Sequence, residues 1–147
     1  MFVSARSLVE GKIDDIDRAQ EARTVFTEID HNYVNPVTDL FGGRVKRVFA
    51  DLDKWNEQNG YRSPYMTFNE YMTWAVFILY LNDTADTEEF FRQVSDAVVD
   101  QMIASRQFIR FRQFSDKLLE LYKQRGPSET IVDLYPGILD WADTLRE

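Results

Sequence analysis

The 147-residue chain carries a single histidine, His31, three residues after Glu28. On a helix, residues at that spacing lie on one face, and a Glu-x-x-His turn is what di-iron helical bundles repeat on two of their helices. No second histidine exists to complete such a repeat. Glu28 and His31 therefore define the metal-binding or enzymatic alternative, a mononuclear site finished by carboxylates distant in sequence. The plainer expectation is a surface histidine near a helix end.

Other chemistry is thinly provided. The absence of cysteine excludes disulfides, thiolate nucleophiles and cysteine-ligated zinc or iron–sulfur sites. A hydrolase triad would have to recruit His31, and no Gly-x-Ser-x-Gly elbow is present. Gly42-Gly43-Arg44-Val45-Lys46-Arg47 invites a phosphate reading, because free amides at a helix start and nearby cations attract anions. The Walker pattern nevertheless needs Gly-Lys-Ser/Thr after a strand, so a kink, a restart or a close helix crossing is the expectation. No catalytic residues and no cofactor are predicted.

Charge is more informative. The net charge is −8, unevenly distributed, with residues 63–100 at −6 and residues 101–125 at +4. Asp86, Glu89, Asp96 and Asp100 recur at steps that put them on one helical face, and Arg106, Arg110 and Lys117, with Gln113 between them, do the same on the segment that follows. The two rows would lie side by side if their helices fold back on each other. Exposed ion pairs add little stability. As a docking surface, however, an acidic face steers and selects a basic partner. Nucleic acid is disfavoured, since phosphate attraction would have to overcome the acidic background.

Phe108, Phe111 and Phe114 interleave with Arg106, Arg110 and Arg112 as a base-stacking platform would. Their three-residue spacing equally describes the buried face of an amphipathic helix, which is the expectation. Tyr61 and Tyr65, in the Gly60–Met66 loop around Pro64, are the better candidates for exposed contact with a partner.

The elements that must position these residues are helical. Ile16, Ala19, Ala22, Phe26, Ile29 and Tyr33 mark a helix over about 15–33, capped by Asp14 or Asp15. Asn35-Pro36 reads as the start of a second, with Val37, Leu40, Phe41, Val45, Val48, Phe49, Leu52 and Trp55 on its face and Gly60 as its stop. Thr67-Phe-Asn-Glu70 fits a capping box ahead of a third helix over Thr67–Leu81, apolar on nearly every side and so expected to be enclosed. A fourth starts near Asp86 with Phe90, Val94, Ala97, Val98 and Met102 buried. A fifth follows to about Arg125, Ser105 marking the joint and Gly126-Pro127 the end. Pro136 opens a last helix containing Ile138, Leu139, Trp141 and Leu145.

These readings predict an all-α chain, a compact bundle of five to six helices around the central apolar one, as a single domain over 1–147. At this length folding buries about 70% of the chain's surface, and 44% hydrophobic residues suffice for a core. The longest apolar run, Met72–Leu81, is half of the roughly 20 residues a membrane span requires, and the amino terminus lacks a secretory pattern, so a cytoplasmic location is expected. The functional expectation is a stoichiometric protein-binding module of inhibitor, immunity or counter-defence type. It would present Asp86, Glu89, Asp96 and Asp100, with Tyr61 and Tyr65, to a basic protein. Self-association is a further option that the aromatic surplus allows.

Overall fold

Apolar residues at helical spacing build six α-helices in the described part of the chain: α1 (Ile16–Leu40), α2 (Gly42–Val48), α3 (Pro64–Thr84), α4 (Glu88–Asp100), α5 (Phe111–Gln124) and α6 (Ile131–Asp143). The structure is a computed structural model and describes residues 16–58 and 63–146. A 3-10 turn at Leu52–Lys54 follows α2, and a π turn at Gln101–Ser105 follows α4. Among the described residues there is no strand, and no helix is long and apolar enough to cross a membrane. The bundle is compact and all-α, as the periodicity predicts.

The apolar helix is central. α3 packs against α1, α2, α4 and α5, while α6 closes on α5 and α2. Phe68, Tyr71, Met72, Ala75, Phe77 and Leu81 are completely buried on it. It begins earlier than the capping-box reading has it. Ser63 is the N-cap, its Oγ accepting from Met66 N at 3.0 Å, with Pro64 in the first turn; a serine cap followed by proline outcompetes a box one turn later. Thr67 is instead buried, its hydroxyl without a hydrogen-bond partner, and Glu70 reaches sideways to other elements.

Tyr71 ties the core to the connections. Its hydroxyl donates to the Trp55 carbonyl (2.6 Å) and accepts from the Arg110 amide (3.2 Å), and its ring meets those of Trp55, Phe108 and Phe114 at 5.0–5.6 Å between centroids. Trp55 in turn stacks on Phe49 at 4.1 Å. Buried tyrosines persist where the hydroxyl finds partners.

Prolines mark fewer boundaries than the sequence suggests. α1 runs unbroken through Asn35-Pro36 to Leu40, so no helix starts there. Burial of Val34 and Thr38 on either side holds the chain helical against a cost of about 3 kcal/mol for an interior proline. The apolar face also turns at Phe26. The buried positions continue through Asp30, Val34 and Thr38, whereas Ile29 and Tyr33 are 51% and 69% exposed. The restart falls at Gly42-Gly43, where a Cβ on either glycine would meet nothing within 4 Å, so the pair does not serve a close crossing. The face assigned to one helix over 37–55 is divided among α1, α2 and the 3-10 turn; Leu40 is 74% exposed, and Gly60 lies outside the described residues. Likewise α6 starts at Ile131, not Pro136: Asp133 accepts from Thr130 N at 2.7 Å in a true capping box, and buried Leu134 and Tyr135 carry the helix through the proline.

Ser105 does end the turn that separates α4 from α5. Arg106 N bonds Gln101 O (3.2 Å) to close the π turn, and Gln107 takes a left-handed conformation at φ 58°. The reversal drops Phe108 into the core, fully buried, and pairs with the 55–57 segment through Ile109 N to Trp55 O and Glu57 N to Gln107 O, both 3.2 Å.

Candidate functional site

The acidic row belongs mostly to α4. Glu89, Asp96 and Asp100 are exposed on one side of that helix, opposite buried Val94 and Val98. Asp86 is exposed but precedes the helix, which starts beyond the N-cap Thr87, whose hydroxyl accepts from Phe90 N at 3.1 Å. Arg92 falls on the same side by spacing and is also exposed, which lowers the row's charge.

The basic residues do not form a facing row. Arg106 and Arg110 lie in the connection before α5. Arg106 pairs with Glu70 at 2.7 Å, Arg110 packs over the Trp55 ring at 5.4 Å, and Lys117 pairs with Glu120 on its own helix at 3.0 Å. The pair that crosses from α4 is Asp96–Arg112 at 2.8 Å. Phe108, Phe111 and Phe114 are wholly buried, as the core reading requires. Tyr65 is half-buried, its hydroxyl donating to the Asn35 carbonyl at 3.1 Å, and Tyr61 lies outside the described residues.

His31 is turned toward Glu70 rather than Glu28. Its Nε2 lies 3.3 Å from Glu70 Oε1, and Glu28 is exposed. Among the described residues no group of three histidine or carboxylate side chains is gathered to hold a metal. Around this pair, the Arg23 and Arg106 guanidinium groups lie 5.3 and 4.9 Å from the Trp74 ring centroid, and Arg23 donates to Gln101 of the π turn. Burial, helped by the charge of Arg106, lowers the pKa of Arg23. The basic run of α2 clamps that short helix to α6, through Arg44 to Asp140 and Arg47 to Asp143 at 3.4 Å.

A second site has its signal in the phase of α1. Asp30 occupies the core-facing position between Phe26 and Val34 and is 8% exposed. Its Oδ2 has no hydrogen-bond partner, and burial pushes its pKa up to about 7. The same residue lines two adjoining apolar grooves. One, of about 310 Å³, is walled by Phe26, Ile29, Tyr33 and Tyr80. The other, of about 290 Å³, lies between α1, α3 and the start of α6, with Val37, Val76, Ile131 and Tyr135 on its walls. Burial, and then the charge of Asp30, hold the Tyr135 phenol neutral well above its ordinary range despite help from Thr38. An acidic residue on an otherwise apolar helical face was the sequence cue, hidden by placing Ile29 and Tyr33 on the core side.

Comparison with protein families, with curated proteins and with solved structures finds no match to this chain in any of the three.

Proposed function

We propose that this chain is a stoichiometric protein-binding module of the inhibitor, immunity or counter-defence type, working in the cytoplasm, which meets a basic protein through the acidic side of α4. One observation carries the reading: Glu89 and Asp100 stand in solvent, with Asp86 also exposed just ahead of the helix, while the opposite side of the helix is anchored in the core. Charge so placed can steer a partner and discriminate among partners without altering the fold. Asp96, held by Arg112, contributes less to the docking charge than Glu89 or Asp100.

Affinity purification of the tagged chain from its native lysate, followed by native mass spectrometry of the eluted complex, tests the proposal. The expected result is a basic protein retained at a fixed ratio and released by salt. Capture that is indifferent to salt, or a partner that leaves chemically altered, contradicts it.

A further inference from the structure

We infer that the groove between α1, α3 and α6 is a binding site for a small organic amine, its ammonium group set against Asp30 and its apolar body along Val76, Ile131 and Tyr135. The argument begins with an imbalance. A carboxyl nine-tenths enclosed ordinarily has a cation or several donors beside it, because an unpaired buried charge is costly. Asp30 is 8% exposed, and its Oδ2 accepts no hydrogen bond. Among the described residues, those lining the two grooves it shares include no lysine, arginine or histidine.

Groove chemistry supplies the rest of the specificity. At about 290 Å³ the lobe has the size of a small-ligand pocket, and such pockets are apolar with one or two polar groups that fix orientation. Among the described residues, the titratable neighbours facing Asp30 are tyrosines: Tyr33 from its own helix, Tyr80 from α3 and Tyr135 from α6. Aromatic rings attract an ammonium through their faces and offer an anion nothing comparable. At the start of α6 the free amides that would draw an anion already have the Asp133 carboxylate beside them, accepting from Thr130 N and Oγ1. Around the opening, Tyr33 and Val132 are 69% and 38% exposed, so the apolar surface continues out of the groove. An ammonium is therefore the group that supplies what Asp30 lacks, and a hydrocarbon or aryl body is what the walls accept.

The test is a titration of the full chain with phenethylamine and, separately, with phenethyl alcohol, which has the same body and no charge. Binding is followed by calorimetry and by chemical-shift changes at Tyr33, Val76 and Ile131. The amine is expected to bind at least about tenfold tighter than the alcohol, the scale of a hydrogen bond to a charged group. Asp30→Asn should remove that preference, and Val132→Trp, at the exposed rim, should weaken both ligands by narrowing the entrance. Equal affinity for amine and alcohol, no saturable amine binding, or an amine preference that survives in Asp30→Asn each overturns the inference. Because neither ligand touches α4, these outcomes are independent of the partner-capture experiment.

Discussion

Glu70 of α3 holds His31 of α1 at 3.3 Å, and its other oxygen takes Arg106 at 2.7 Å. With a side chain only 13% exposed, it joins three parts of the fold: the first helix, the central helix and the reversal after the π turn. The histidine that looks like a ligand in the sequence thus flanks the Glu70–Arg106 ion pair, in a cluster centred on one carboxylate. Removing one partner of such a cluster leaves the other uncompensated. Glu70→Gln is expected to cost about 1–3 kcal/mol, and His31→Gln, 35% exposed at the side chain, under about 1 kcal/mol. Urea unfolding of both variants measures the difference; an equal loss would place the strain on the histidine instead.

Tyr71 gives a sharper packing test. Tyr71→Phe keeps the ring and deletes a hydroxyl that both donates to Trp55 and accepts from Arg110. Leaving those backbone groups unmatched should cost about 2 kcal/mol, visible as a lower urea midpoint at an unchanged slope. An unaltered midpoint would mean that other groups or solvent replace both bonds.

The start of α3 separates two caps. Ser63→Ala removes the acceptor for Met66 N and should cost about 1 kcal/mol. Thr67→Val replaces a buried hydroxyl that has no partner and should be neutral or stabilising. The reverse ranking by thermal melting would restore the capping box at Thr67.

Asp30 makes stability depend on pH in an unusual direction. Its folded pKa of about 7 lies above the ordinary carboxyl value near 4. Between those pH values the native state binds the extra proton, so this group's contribution to stability falls as pH rises from about 4 to about 7. Asp30→Asn abolishes the effect. The variant should melt roughly 5 °C or more above the parent at pH 8, and the gap should close toward pH 5. A gap independent of pH would show that the carboxyl is not held neutral by burial.

What the sequence made legible follows from the length of each pattern. The run from Tyr71 to Leu81 is apolar in every direction, so its enclosure survives an error of one turn in its start. Boundaries were harder, because Pro36 and Pro136 carry strong local signals that burial of Val34, Thr38, Leu134 and Tyr135 overrides. The site depended on phase. Steps of three and four fit Phe26-Ile29-Tyr33 as well as Phe26-Asp30-Val34, and only the tertiary contacts of α1 with α3 decide that the carboxyl faces inward. The partners of Glu70 lie 36 and 39 positions away in the chain, a distance over which one sequence gives no pairing information. Tyr65, which the Gly60–Met66 loop reading exposes, lies within α3 because the helix is capped at Ser63.

The acidic side of α4 is the proposed docking surface, and charge reversal there probes it without touching the core. Glu89→Lys with Asp100→Lys should abolish capture of the partner from native lysate while shifting the melting temperature by no more than about 2 °C, since neither residue is buried. Asp96→Lys alone should have a smaller effect on capture, because that carboxylate is already engaged by Arg112. Undiminished capture by the double variant, with the fold intact, would show that the acidic side of α4 is not the docking surface.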